Sequence, residues 1–213
     1  MSEGEPEPSA FYERYWFGKP DGKLDDFTRK WPVLRHLIPR ESGVVMLDYG
    51  CGDGEIIKEL RAINAGARYI GVDISKTALA KAQASLPDAV FYQVGDGERV
   101  PIPAASVDFI FCSEVIEHLF DVQGFINEMH RVLVPGGQLV LTTPYHGWLK
   151  NLAVITFNFD RHFDPTRGHV RFFSRASLTR CLQAGGFRVD RVSGIGRRWP
   201  LWKSMFVVAR KSG

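Results

Sequence analysis

The sequence has few cysteines and no long hydrophobic run. Its 3 cysteines, Cys51, Cys112 and Cys181, lack the spacing of metal ligands, and their odd number does not suit a disulfide framework. No apolar run approaches the ~20 residues that a membrane-spanning helix needs. The start of the chain is acidic and proline-rich, unlike a signal peptide. These absences predict a reduced, cytoplasmic protein.

Length and composition are those of one globular domain. Of the 213 residues, 45% are hydrophobic and 12% aromatic, and there are no internal repeats. We expect one domain over residues 40–213, preceded by a helical extension over residues 1–39 whose first ~10 residues are disordered. Strand-like segments alternate with helical ones, which predicts a parallel α/β sheet with right-handed crossovers. The predicted parallel strands lie near residues 44–48, 68–72, 89–94, 107–112 and 137–143.

Basic residues are concentrated towards the C-terminus. The net charge is +3, but residues 1–160 carry 15 Lys and Arg against 22 Asp and Glu, whereas residues 161–213 carry 12 against 2. Such a field favours an anionic partner: a small acceptor molecule, an anionic membrane surface or RNA. The alternative is a solvated face that offsets the acidic half of the domain. We expect the partner to be a small anionic molecule, and peripheral contact with a membrane is a further option. A nucleic-acid partner is disfavoured because the sequence has no separate RNA-binding module.

A glycine-rich turn follows the first predicted strand. Asp48 ends the strand, then Gly50, Gly52 and Gly54 follow, and a helical pattern begins at Ile56. A strand that turns sharply into a helix forms a crevice for a nucleotide-like ligand at the carboxyl edge of a sheet. The glycines allow positive φ and close approach of the backbone to that ligand. Asp48 would repel a pyrophosphate, so a ligand with a cationic centre fits better.

Five segments in order resemble the motifs of the class I S-adenosylmethionine-dependent methyltransferases. The segments are residues 47–56, 69–75, 95–97, 107–118 and 131–142. The resemblance implies a Rossmann-like, seven-stranded, mostly parallel sheet of order 3-2-1-4-5-7-6, its last strand antiparallel, with helices on both faces. It also implies that S-adenosylmethionine is the cofactor.

The resemblance assigns cofactor contacts to particular residues. Asp73 matches the acid that holds the ribose hydroxyls, and Asp96 matches the acid that contacts the adenine amino group; a carboxylate can accept several hydrogen bonds. The predicted cofactor-binding residues are Asp48, Gly50, Gly52, Gly54, Asp73, Ile74, Asp96, Gly97 and Ser113.

Three histidines are candidates for a catalytic base. A sulfonium methyl needs no activation, so the protein must supply position and, for a hydroxyl acceptor, proton removal. Histidine suits that task because its pKa lies near working pH. His118 shares a face with Glu114 and Glu117 if that segment is helical, His146 directly follows the fifth strand, and His162 lies in the next segment.

Glu114 to His118 also resembles two metal-assisted groups, the ubiquinone-type O-methyltransferases and the small-RNA 3′-terminal 2′-O-methyltransferases. Glu114, Glu117, His118 and either His162 or His169 could hold Mg²⁺, Mn²⁺ or Zn²⁺. Many methyltransferases without a metal carry a similar segment, so we do not expect one here.

Two segments could cover the site. Residues 145–173 are expected to be a mobile loop that forms the acceptor pocket or its lid. Its predicted apolar underside is Trp148, Phe157 and Phe159, and the residues predicted to meet an anionic acceptor are Arg161, Arg167 and Arg171. Tyr15 and Trp16, in the N-terminal extension, could cover the cofactor or simply pack on the sheet edge.

The leading prediction is O-methylation of a small anionic metabolite from a natural-product, glycan, lipid or quinone pathway. The alternatives are RNA 2′-O-methylation and a non-catalytic protein that binds S-adenosylmethionine, because a binding site does not establish turnover.

Overall fold

The computed structural model describes residues 8–18, 27–163 and 169–212. The disorder was predicted for the first ~10 residues. Of these, residues 1–7 lie outside the described residues, and residues 8–10 belong to the first helix. The helices are α1 (Pro8–Gly18), α2 (Phe27–Leu34), α3 (Glu55–Ile63), α4 (Lys76–Ser85), α5 (Val122–Val132), α6 (Trp148–Phe157), α7 (Phe159–His162) and α8 (Arg175–Ala184), with a 3₁₀ turn at Ile116–His118. The strands are β1 (Val45–Tyr49), β2 (Arg68–Asp73), β3 (Val90–Gln93), β4 (Val107–Ser113), β5 (Leu133–Pro144), β6 (Phe187–Ile195) and β7 (Ser204–Lys211).

The seven strands form one sheet of order β3-β2-β1-β4-β5-β7-β6. Strands β1 to β5 pair in parallel, whereas β7 is antiparallel to both β5 and β6. The predicted order and the antiparallel closing strand are therefore confirmed. Parallel strands bring the segments that follow β1, β2, β3, β4 and β5 to a single edge, where this architecture binds ligands.

Both faces of the sheet are buried, as a parallel sheet requires. Along β4 the side chains alternate: Phe109 and Phe111 belong to one apolar cluster, and Ile110 and Cys112 to the other. Residues from α2, α3 and α4 join the first cluster, and residues from α5 and α8 join the second. The prediction of helices on both faces is confirmed.

Strand β5 begins earlier than predicted. It starts at Leu133 rather than near residue 137, and its pairing with β4 shifts register between Val107 and Phe109. Gly136, at a φ of 76°, lies in this irregular part. The chain therefore passes through Gly136 as an irregular part of the strand.

The segment after β5 is also more regular than predicted. Instead of a long loop it forms α6 and α7, and its residues 164–168, including Arg167, lie outside the described residues. Trp148, Phe157 and Phe159 are 75%, 84% and 55% exposed, so they do not form the apolar underside that was predicted. In the described part of the chain, no helix is long and apolar enough to cross a membrane.

Candidate functional site

The turn after β1 is held by backbone and carboxylate hydrogen bonds. The amide of Gly50 donates to the Val72 carbonyl (2.7 Å), and the amide of Gly52 donates to the Asp73 carboxylate (2.8 Å). Gly50 and Gly52 have φ values of 82° and 54°. A Cβ on Gly52 would overlap the indole ring of Trp16. Glycine is needed there for both its φ and its lack of a side chain.

Asp73 connects two elements of the site. Its carboxylate accepts one hydrogen bond from Gly52 and a second from the Ser75 amide (2.9 Å). It is 8% exposed, and burial raises its pKa although these amide donors oppose the shift. A carboxylate has about four acceptor positions, so two hydrogen bonds leave capacity for ligand hydroxyls.

Asp96 also keeps an unused acceptor. One carboxylate oxygen accepts from the Phe120 amide (2.6 Å), whereas the other is buried without a hydrogen-bond partner in the described part of the chain. Gly97, next to it, has a φ of 76°. The free oxygen suits an amino donor such as the adenine amino group.

Asp48 lies behind the glycine turn as a buried carboxyl group. It is 1% exposed, and neither of its oxygens has a hydrogen-bond partner among the described residues. Burial raises its pKa to about 8, and the charge of Asp73 adds to the shift. An unpaired buried carboxylate is unfavourable, so this position fits a ligand that brings positive charge.

Asp48 should make the stability of the cofactor-free protein pH-dependent. Its folded-state pKa of about 8 lies above the ordinary value of 3.8, so the native state binds the proton more tightly and stability falls as pH rises between these values. As the pH rises from 4 to 8, we expect the free energy of unfolding of Asp48→Asn to increase relative to that of wild type by several kcal/mol. Urea unfolding of both proteins across this range measures the difference. A difference that does not change with pH would contradict the assignment.

A cavity of about 470 Å³ lies at the carboxyl edge of the sheet, in front of the glycine turn. That volume lies within the ~300–1,000 Å³ of small-molecule sites. Of the predicted cofactor residues, its wall contains Gly50, Gly52, Asp73, Ile74, Asp96 and Ser113. A larger cavity of about 610 Å³ lies at the amino edge, where β1, β2 and β3 begin, and includes none of the predicted site residues. The smaller cavity is therefore the candidate site.

Helix α1 forms part of the cavity wall through Tyr12, Tyr15 and Trp16. It is fixed there by Glu13, which accepts hydrogen bonds from the Ser75 hydroxyl (3.1 Å) and from the Lys76 (2.5 Å) and Thr77 (3.2 Å) amides. A carboxylate at the N-terminus of a helix such as α4 is favourable, because the amides there lack intrahelical partners.

Lys30 on α2 is a site residue that the sequence analysis missed. It is 3% exposed, and its ammonium group donates to the Ser113 hydroxyl (2.9 Å) and the Glu114 carboxylate (3.0 Å) in the cavity wall. Glu114 has a φ of 54°, which is rare for a residue other than glycine. The sequence did contain an indication of this burial. Lys30 precedes the buried residues Leu34 and Ile38 by four and eight residues, which is the spacing of one helical face. It therefore occupies an apolar-stripe position.

Removal of Lys30 should leave Glu114 without its cation. We expect Lys30→Met to lower the free energy of unfolding by about 1–3 kcal/mol, less than for a fully buried pair because the Glu114 side chain is 33% exposed. Lys30→Met/Glu114→Gln should recover part of the loss, which urea unfolding of the full mutant cycle measures. Purely additive single-variant effects would show that the two side chains are not coupled.

Glu117, His118 and His169 lie close together, and both histidines line the cavity. One Glu117 oxygen accepts from the Thr143 hydroxyl (3.0 Å), and the other lies 4.0 Å from His118 Nε2. The rings of His118 and His169 are 4.8 Å apart. Burial, followed by the charge of Glu114, raises the pKa of Glu117 well above its usual range. Ligand atoms of the three residues lie within 4.8 Å of one another, so they could hold a divalent ion.

The other predicted metal ligands are placed elsewhere. Glu114 pairs with Lys30 and, because of its positive φ, does not share a helical face with Glu117 and His118. His162 packs against His146, with ring centroids 5.4 Å apart.

His146 and His162 do not line the cavity in the described structure, unlike His118 and His169. His146 is buried, and its Nδ1 lies 3.3 Å from the Asn151 side-chain oxygen. Burial, followed by the charge of Lys150, lowers the pKa of His146 to about 4. The geometry thus favours His118 among the three predicted bases.

Comparisons with known proteins identify the family. The Methyltransferase domain family matches residues 47–141. A protein of Mycolicibacterium smegmatis named "Probable S-adenosylmethionine-dependent methyltransferase" is 31% identical over 88% of this chain and 65% of its own length. The solved S-adenosylmethionine-dependent methyltransferase from Mesorhizobium loti shares the fold, with a TM-score of 0.67 and 21% identity over 85% of this chain and 97% of its own. The chain belongs to the class I S-adenosylmethionine-dependent methyltransferases.

Membership of this methyltransferase family confirms S-adenosylmethionine as the cofactor. Another similar protein, the ubiquinone biosynthesis O-methyltransferase of Coxiella burnetii, is 29% identical over 88% of this chain and 82% of its own length. The chain spans 65% of the length of the M. smegmatis relative and 58% of that of a Mycobacterium tuberculosis relative. The roles of individual residues in cofactor binding stay predictions.

Proposed function

We propose that this methyltransferase transfers a methyl group to a hydroxyl oxygen of a small anionic metabolite. The observation that carries the proposal is the position of His118, backed by Glu117, in the wall of the cofactor cavity. The similarity to the C. burnetii ubiquinone biosynthesis O-methyltransferase supports oxygen as the methylated atom. Oxygen acceptors need a base for their proton, and this site offers one.

The residues of the chain have separate tasks in this reaction. Bound S-adenosylmethionine supplies a methyl group on a sulfonium centre that needs no further activation. Asp73 and Asp96 hold the ribose and the adenine amino group, and the charge of Asp48 complements the cationic part of the cofactor. A ring nitrogen of His118 would take the proton of the acceptor hydroxyl, whose oxygen bonds the methyl carbon as the sulfur–methyl bond breaks and S-adenosylhomocysteine is left. A Glu117 carboxyl oxygen lies 4.0 Å from His118 Nε2, so Glu117 is placed to orient that ring.

Charge supports an anionic acceptor. Residues 161–213 carry 12 Lys and Arg against 2 Asp and Glu. Arg171 and Val170 donate their amides to the Glu117 carbonyl (both 3.0 Å), so the basic segment is fixed beside the proposed base. Lys30 also lies in the cavity wall, where its charge is paired with Glu114. Helices α1 and α2 would cover both ligands, and residues 169–173 would border the acceptor.

Replacement of His118 should slow the chemical step. We expect His118→Asn to lower kcat by roughly 10²–10⁴-fold, the usual contribution of a general base, with cofactor affinity unchanged. His146→Asn is the matched control and should change kcat by less than about 10-fold, because His146 does not line the cavity. Release of S-adenosylhomocysteine from a panel of hydroxylated carboxylates and phosphates measures both, and EDTA should leave the rate intact.

Other outcomes of this assay would point elsewhere. Loss of activity with EDTA, restored by Mg²⁺, Mn²⁺ or Zn²⁺, would show that Glu117, His118 and His169 hold a required metal. Activity on cellular RNA that nuclease abolishes would favour RNA methylation. Cofactor binding without turnover on any acceptor would favour the non-catalytic alternative.

A further inference from the structure

Helix α6 presents apolar side chains to solvent. None of its 10 residues is buried. Trp148, Leu152, Ile155 and Phe157 are 75%, 55%, 55% and 84% exposed. Its sequence includes one charged residue, Lys150. A helix that is apolar all round is normally buried or in contact with a membrane, so this surface calls for a partner.

The loop between β6 and β7 extends the same surface. The ammonium group of Lys150 donates to the Tyr145 (2.6 Å) and Lys203 (3.3 Å) carbonyls, which fixes the first turn of α6 beside this loop. Two further apolar side chains, Trp199 at 70% and Leu201 at 44%, are exposed on the loop. Together, α6 and residues 196–203 form what we call the α6 surface.

The α6 surface has a basic border. Arg161, Arg197, Arg198 and Lys203 are exposed. The described residues from 145 to 163 and from 191 to 203 include one acidic side chain, Asp160. The pKa of Lys150 is lowered to about 8, mainly by burial and then by the positive charge of Arg197, which belongs to this border.

We propose that the α6 surface docks on the surface of an anionic phospholipid bilayer. The apolar side chains would enter the acyl boundary of such a bilayer, and the basic border would contact its negative headgroups. Trp148 and Trp199 are suited to that boundary, because tryptophan concentrates at membrane interfaces. A helix of 10 residues is too short to cross the bilayer, so α6 lies along the interface. Docking brings the carboxyl end of β5 close to the headgroups.

Vesicle flotation with the full chain tests this proposal. We expect wild type to bind vesicles of phosphatidylcholine with about 30% phosphatidylglycerol and to bind pure phosphatidylcholine at least ~10-fold more weakly. Trp148→Ser/Phe157→Ser should weaken binding to the anionic vesicles by at least ~10-fold. Arg197→Gln/Arg198→Gln should weaken it by ~10-fold or more.

Two control measurements make the result specific. Arg40→Gln/Arg68→Gln removes the same charge at the amino edge of the sheet, where both side chains are exposed, and should leave vesicle binding unchanged. Thermal unfolding should show all variants folded. The proposal is overturned if wild type does not float with anionic vesicles, or if the α6 variants float as wild type does. It is also overturned if the wild type is a concentration-dependent oligomer that Trp148→Ser/Phe157→Ser converts to a monomer, since the surface would then contact a second copy.

Discussion

Replacement of Gly52 by valine should abolish measurable binding of S-adenosylmethionine. Gly52 has a φ of 54°, and a side chain there would overlap the Trp16 ring. A β-branched residue at positive φ costs ~1–2 kcal/mol, and overpacking adds ~1–3 kcal/mol. Either the turn moves into the cavity or α1 moves away from it. We expect affinity to fall by roughly 100-fold or more, measured by titration calorimetry.

Gly43→Val separates crowding from backbone strain. Gly43 also has a positive φ, 81°, but a side chain there would meet nothing within 4 Å. It precedes β1 and is not part of the cavity wall. This variant should lose some stability and keep its cofactor affinity. Equal losses of affinity in both variants would mean that crowding against Trp16 in the cavity wall is not the cause of the loss.

Asp73→Ala should have an effect of similar size for a different reason. The Asp73 carboxylate anchors the Gly52 amide and the Ser75 amide, and the prediction also gives it the ribose hydroxyls. Hydrogen bonds to a charged group contribute ~1.5–3 kcal/mol each. Loss of two to the ribose alone would weaken binding by roughly 100-fold or more.

Asp73→Asn is the graded control for that assignment. Asparagine keeps the shape and one acceptor oxygen, so it can anchor one amide but cannot accept from both. We expect an affinity between those of wild type and Asp73→Ala, with the proteins compared by calorimetry and thermal unfolding. Unchanged affinity in a folded Asp73→Ala protein would rule out the assigned role of Asp73.

The sequence was most informative where chemistry depends on local spacing. The glycine turn, Asp73 and Asp96 lie at or shortly after the ends of β1, β2 and β3. Parallel strands necessarily bring such positions to one edge. The alternation of buried residues in β4 is likewise readable from its apolar run. For this reason the place of the candidate cavity could be predicted from local spacing, whereas the sheet order was predicted from the resemblance to the methyltransferase family.

The acceptor side depended on contacts between distant segments. His169 reaches His118 because the Glu117 carbonyl binds the amides of residues 170 and 171, a pairing that no local pattern indicates. Lys30 reaches Glu114 across 84 residues of sequence. Helix α6 lacks the polar face by which a surface helix is recognised, so its segment was predicted to be a loop. Positive φ at Glu114 likewise broke the helical face assumed for that segment.

A crystal structure with bound S-adenosylmethionine tests the central claim most directly. We predict that the ribose hydroxyls bind Asp73, that the adenine amino group binds the free oxygen of Asp96, and that the sulfonium methyl faces the part of the cavity bordered by His118. A cofactor bound in the amino-edge cavity, or a methyl group directed away from His118, would contradict the account.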